Sequence, residues 1–234
     1  MAEAGEKSFG SKAFSKIKAV DEFIISALLP QDDALNSTLK ANTTSGPDAI
    51  DVSPPLGKFL YLLAKLNNAK RILEFGTLGG YSAIWFAKAI PSGGKVITCE
   101  LEPTHAKIAQ SNIDNAGPEV KDKIEIRLGP ALETLGELER EGVEDFDMVF
   151  IDADKENNPA YFSWALEHSH AGTLIVVDNV VRSGYIVDKD MNTPPTLGSR
   201  KLFDTLRGEK RVECTALQTV GLKGWDGMAL ARVV

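Results

Sequence analysis

Apolar and polar positions recur along the chain with two periods. Short β-branched runs at 71–75, 95–100, 123–128, 147–152, 173–178, 211–217 and 228–233 predict strands, and apolar stripes at helical spacing fall between them at 81–90, 104–116, 131–141, 159–168 and 198–206. Crossovers that contain helices of this length join parallel neighbours. The last two runs, joined by Gly221, Gly224 and Gly227, read instead as a hairpin. The expectation is an α/β chain: a doubly wound, seven-stranded, mostly parallel sheet with one antiparallel strand and helices on both faces.

Two further helical patterns, 12–29 and 54–66, precede the sheet, separated by the polar, breaker-rich DDALNSTLKANTTSGPD. In the second, Leu56, Phe59, Leu60, Leu63 and Leu66 form one apolar face. The segment RSGYIVDKDMNTPPTLGSR, 182–200, reads as a long loop of the kind that serves as a lid or binding loop.

Length and composition narrow this picture. With 234 residues the chain suits one domain, 1–234, with an N-terminal helical segment at about 1–50, because two halves would each have a small core. No apolar run approaches the roughly 20 residues of a membrane span, and MAEAGEKSFGSK has no apolar core of a secretory signal, so no membrane partner and a cytoplasmic location are expected. A net charge of -7 argues against a general nucleic-acid binder. Cys99 and Cys214 sit in strand-like contexts and are expected to be reduced and buried. His105, His168 and His170 have no ligand spacing and read as solvated.

Candidate chemistry lies at the strand ends. ILEFGTLGGYS puts Gly76, Gly79 and Gly80 in the turn between a strand and a helix, where doubly wound folds bind nucleotides. The spacing G-x-x-G-G departs from the dinucleotide fingerprint, and Glu74 would sit badly beside a pyrophosphate, so an NAD-binding reading is disfavoured. S-adenosylmethionine (SAM), with a positive amino group and sulfonium, meets these constraints. Glu100, closing the second strand, is placed to take its ribose hydroxyls. The plainer alternative is that both glutamates are solvated strand ends.

FIDADKENN ends an apolar strand in Asp152, Asp154 and Lys155, and TLIVVDNV ends in Asp178 and Asn179. Two carboxylates and a carboxamide oxygen on neighbouring strands suit Mg²⁺ or Ca²⁺. The plainer reading makes Asp152 a helix cap and Asp178 a turn residue. The series E-F-G-T-L-G-G-Y-S, D-A-D-K with Tyr161 six positions past Lys155, D-N-V-V-R-S-G and a closing G-W-D-G resembles the cation-dependent O-methyltransferases typified by caffeoyl-coenzyme A and catechol O-methyltransferases, from about Ser53 to the C-terminus.

That resemblance implies a Rossmann-like SAM-dependent methyltransferase fold and a homodimer. It assigns Asp152, Asp178 and Asn179 as ligands of a divalent cation, Mg²⁺ first with Ca²⁺ or Mn²⁺ as substitutes. Lys155 becomes the base for the substrate hydroxyl, with Asp152 beside it. Ser53, Glu74, Gly76, Ser82, Glu100, Ala131, Asp152, Asp154 and Tyr161 become cofactor contacts. The implied acceptor is a catechol-like phenolic small molecule or its thioester. Val181-Arg182 replaces the aliphatic residue and tryptophan typical of the plant enzymes, so acceptor identity does not carry over. Two competing readings are a phosphohydrolase of the haloacid dehalogenase type, from the superficial D-x-D of FIDAD, and a non-enzymatic SAM-binding protein. The first places its D-x-D on the first strand, not the fourth; the second has no use for the acidic cluster.

Overall fold

The computed structural model describes residues 10–29, 31–45 and 50–234. In chain order the helices are α1 (Ser11–Leu28), α2 (Asp33–Ser45), α3 (Pro54–Leu66), α4 (Tyr81–Ala89), α5 (Pro103–Asn115), the single turn α6 (Pro118–Lys121), α7 (Ala131–Glu141), α8 (Asn158–Glu167) and α9 (Pro194–Gly208). The strands are β1 (Arg71–Phe75), β2 (Lys95–Glu100), β3 (Ile124–Leu128), β4 (Phe146–Ile151), β5 (Ser169–Asp178), β6 (Val212–Gly221) and β7 (Gly224–Val233). They form one sheet in the order β3-β2-β1-β4-β5-β7-β6. β1, β2 and β3 are mutually parallel, whereas β7 runs against both β5 and β6. No helix among the described residues is long and apolar enough to cross a membrane.

The chain resolves into two compact units. In the first, Leu28–Met148, β1 and β2 pair from Arg71 opposite Lys95 to Phe75 opposite Cys99, so Glu74 lies across from Thr98. The start of β1 is set by Asp147, whose carboxylate accepts the amides of Lys70 and Arg71 at 2.7 and 2.8 Å. Leu60, Ile72, Leu73, Phe75, Ile84 and Phe86 are completely buried and form its core. Every residue of α4 except Lys88 is buried, as expected of a helix covered on almost all sides.

The polar stretch after α1 departs from expectation, for it contains the helix α2. Its buried face is Leu35, Thr38 and Asn42, a stripe at helical spacing that is mostly polar. Asp32 caps it by accepting the Leu35 amide at 3.1 Å, and the Thr38 hydroxyl returns to the Ala34 carbonyl at 2.8 Å. Hydrophobic periodicity has no signal for a helix that buries side-chain hydrogen-bonding groups.

The second unit joins the N-terminal helix to Val149–Val234. Its hairpin β6–β7 closes at Gly221 opposite Gly224, and Asp21 of α1 accepts the Leu222 amide at the turn at 2.7 Å. Cys214 corrects a second expectation: both cysteines are free, yet only Cys99 is buried. Cys214 lies on β6, the last strand in the order, whose residues are largely exposed. The long loop is corrected as well. Short 3₁₀ turns broken by non-helical backbone at Ser183 and Gly184 fall within Arg182–Val187, and α9 begins at Pro194 because two prolines fit the first helical turn, where their missing N–H groups cost nothing. Arg200 ties the intervening residues together, donating to the carbonyls of Ile186 and Tyr185, each at 2.9 Å, and to that of Asp188.

Candidate functional site

In the first unit the turn between β1 and α4 is built from left-handed backbone: φ is 95° at Gly76, 48° at Leu78 and 82° at Gly80. Leu78 is the costly one, because its Cβ disfavours that region. Its amide is turned into the carboxylate of Glu100, donating to Oε2 at 2.7 Å, while Oε1 accepts the Glu102 amide at 2.9 Å. Glu100 therefore holds the glycine turn as well as closing β2, and each carboxylate oxygen retains acceptor capacity for a hydroxyl. His105, dismissed at the level of sequence, stands 3.6 Å from Glu100 Oε1.

Glu74 is fully buried and accepts the Thr98 hydroxyl at 2.6 Å; that hydroxyl also lies 2.6 Å from the Thr77 hydroxyl. Burial, followed by the nearby Glu74 charge, pushes the Cys99 thiol up to about 12, so it has no nucleophilic role at neutral pH. Ser82 is buried in the first turn of α4, and Ala131 opens α7. Ser53 caps α3, its hydroxyl accepting the Leu56 amide at 3.4 Å. A polar network unseen in the sequence supports the turn from behind. Asn112 donates to the Gly79 carbonyl and to Asn42 Oδ1, both at 2.9 Å, and Asn42 donates to Asp51 at 2.6 Å. Gly79 is required by this approach, since a Cβ there would land inside the Asn42 side chain.

In the second unit, Asp152 follows β4 and Asp178 ends β5, adjacent strands in the order. Lys155, only 8% exposed, donates from Nζ to Asp152 Oδ1 at 2.6 Å. Asp178 is buried, and its carboxyl is pushed well above the ordinary carboxylate range, first by burial and then by the Asp152 charge. Asn179, at φ 56°, donates its amide to Asp178 Oδ1 at 2.8 Å. Asp152, Lys155, Asp178 and Asn179 thus come together. Asp154 is exposed and turns to a different partner, accepting the hydroxyl of buried Tyr161 at 2.6 Å.

The donor chemistry of this group fits a hard divalent cation: two carboxylates, and a carboxamide oxygen on the residue after the second. Among the described residues no three His, Cys, Asp or Glu side chains gather to hold a metal. Sequence reasoning assigned no role to Leu78, Thr98, Asn42, Asn112 or Asp226. For Asp226 a signal existed, an acid flanked by Trp225 and Gly227 inside a hairpin strand.

Known proteins resemble this chain in sequence and in fold. Residues 26–234 match the family described as O-methyltransferase. A catechol O-methyltransferase of Niastella koreensis is 48% identical over 216 residues, covering 92% of this chain and 97% of the relative. One of Mycobacterium tuberculosis is 45% identical over 214 residues, covering 92% and 94%. Among solved structures, the Bacillus cereus O-methyltransferase in complex with S-adenosylhomocysteine (SAH) superposes with a TM-score of 0.92 at 48% identity, covering 94% of this chain and all of the other.

Proposed function

The chain belongs to the O-methyltransferase family, and from that premise we propose that it transfers the methyl group of SAM to one hydroxyl of a catechol-like acceptor with the help of a divalent cation. Family membership removes the phosphohydrolase reading of FIDAD. The observation that carries the finer reading is the grouping of Asp152, Lys155, Asp178 and Asn179 at two adjacent strand ends.

In this reading Glu100 takes the ribose hydroxyls of SAM, Glu74 and Ser53 serve its methionine end, and Gly76, Ser82 and Ala131 line its path, with Asp154 and Tyr161 also cofactor contacts. Asp152, Asp178 and Asn179 hold the cation, Mg²⁺ first. When bound, such an ion supplies Lewis-acid polarisation and orientation of two vicinal oxygens. Lys155, in its neutral form, takes the proton of the hydroxyl to be methylated. The phenolic oxygen then forms the O–CH₃ bond as the S–CH₃ bond breaks, leaving the neutral thioether SAH and a protonated Lys155. A preference for vicinal dihydroxyphenyl rings follows, since one hydroxyl alone cannot chelate.

A homodimer in the cytosol completes the proposal, and sedimentation equilibrium measures the assembly state. The functional test is transfer of labelled methyl from SAM to catechols, hydroxycinnamoyl thioesters and monophenols, with Mg²⁺ and with excess chelator. Turnover confined to vicinal diols and lost on chelation is the expected result. Full turnover in chelator, or equal turnover of monophenols, overturns the chelate reading, and SAM binding without turnover of any acceptor favours the non-enzymatic alternative.

A further inference from the structure

The motif Gly224-Trp225-Asp226-Gly227 has no role in the chemistry above, yet its side chains grip the loop that follows β5. Asp226 Oδ1 accepts three backbone amides: Val181 at 3.0 Å, Arg182 at 2.9 Å and Gly227 at 2.9 Å. Val181 is right-handed (φ -91°, ψ -30°) and Arg182 left-handed (φ 55°). That succession points consecutive N–H groups into one concavity suited to an anion. The Trp225 carbonyl accepts the Ser183 hydroxyl at 3.2 Å, and the Trp225 indole is anchored to Gln218 Oε1 at 3.0 Å. Gly184 lies against the indole, where a Cβ would stand 2.9 Å from the ring.

The segment held in this way is strained. Asn179, Arg182 and Ser183 are all left-handed, with φ of 56°, 55° and 52°, and Gly184 follows at 85°. Non-glycine residues stay in this region only where their surroundings over-determine them, and such segments gather at ligand sites. Three of the four carry side chains, so the conformation is imposed from outside the loop. The segment also carries Asn179 and Arg182, whose Nε is buried without a hydrogen-bond partner among the described residues.

We propose that Asp226 is a positioning residue: by holding the Val181 and Arg182 amides, its carboxylate fixes the start of the left-handed run at 182–184 and so sets where the loop from Asn179 to Arg182 stands toward the acceptor. This rests on the proposed function, in which Asn179 would hold the cation, and on the place of Arg182 three residues further along the same loop. Its consequence is control of regiochemistry, because a ring held by two oxygens can present either hydroxyl to the methyl donor, and what grips the ring substituent decides which.

The test uses the full chain with Asp226→Ala, Asp226→Asn and, where the alanine variant fails to fold, Gly184→Ala, which presses the same loop against Trp225. Hydrogen exchange at the Val181 and Arg182 amides should accelerate in Asp226→Ala. With a 3,4-dihydroxyphenyl acceptor, kcat/KM should fall roughly 10- to 100-fold, chiefly through KM. The ratio of 3-O- to 4-O-methyl products should shift, with SAH affinity unchanged by calorimetry. Asp226→Asn keeps an acceptor oxygen and should restore most of the wild-type ratio, whereas Gly184→Ala should move it as Asp226→Ala does. An unchanged product ratio and acceptor KM in Asp226→Ala overturns the proposal, as does unchanged amide exchange. A wild-type protein that methylates no dihydroxyphenyl compound counts against the proposed function instead, and hydrogen exchange still decides whether Asp226 holds the loop.

Discussion

The two units treat their strand-end acids in opposite ways. At the ends of β1 and β2 each glutamate is provided with donors from its own unit: the Thr98 hydroxyl for Glu74, and the amides of Leu78 and Glu102 for Glu100. At the ends of β4 and β5, Asp178 is buried beside the Asp152 carboxylate, which with burial raises its carboxyl, and Asp152 in turn is hydrogen-bonded by Lys155. The first arrangement is a hydrogen-bonded scaffold in which side-chain and backbone donors are already in place. The second leaves a buried carboxyl next to another acid, and in the proposed function this is where a cation and a proton would be handled. A neutral adenosine moiety needs placed acceptors; activating a phenol needs a field.

The sharpest way to break this comparison is Lys155→Ala. If the second unit does the proton chemistry, single-turnover methylation should slow by roughly 10²- to 10⁴-fold, with SAH binding by calorimetry unaltered. Lys155→Arg should recover little, since a guanidinium does not give up its proton at neutral pH. A wild-type rate in Lys155→Ala would mean that the phenol is activated without this base.

Glu100→Ala should have the converse signature. Losing charge-assisted hydrogen bonds of about 1.5–3 kcal/mol each should weaken SAH binding by about tenfold or more. The chemical step at saturating SAM should change far less. Equal losses in binding and in the chemical step would erase the division of labour between the units. Gly79→Ala is a milder probe of the first scaffold. Its methyl would collide with Asn42, at a cost of about 1–3 kcal/mol as overpacking, read as a lowered midpoint in urea. Adding Asn42→Ala should return part of that loss, and strict additivity of the two would show that they do not touch.

The smallest effect concerns the cysteines. At pH 8 iodoacetamide should label exposed Cys214 and spare Cys99, as peptide mass spectrometry will show. Because the folded-state value for Cys99 is raised to about 12, its neutral thiol supports the fold fully below the unfolded value near 8.5. That support is lost as pH rises from there through about 12. Cys99→Ala should therefore flatten the alkaline fall of the melting temperature slightly.

Most of the fold was legible in sequence because its elements bury apolar faces. β1, β2, α3 and α7 begin and end where periodicity placed them. α2 was not legible, since Thr38 and Asn42 are buried through hydrogen bonds. The start of α9 was obscured by two prolines that stop a helix when internal and begin one when first. For the candidate site, acids at strand ends and a glycine turn stood out by their departure from the apolar runs. The partners that give each acid its character did not.

The division has a physical cause. By itself the sequence determined most of the strands and helices, that the last two strands form a hairpin, and which strand ends carry charge, because these depend on spacing within a few residues. Only the tertiary structure decided who bonds to whom: Leu78 to Glu100, Asn42 to Asn112 seventy positions away, and Val181 and Arg182 to Asp226. A buried polar group is stable only with a partner of the right geometry. That partner is brought by the packing of distant elements, as is the exposure of Cys214, which follows from the place of β6 at the end of the strand order.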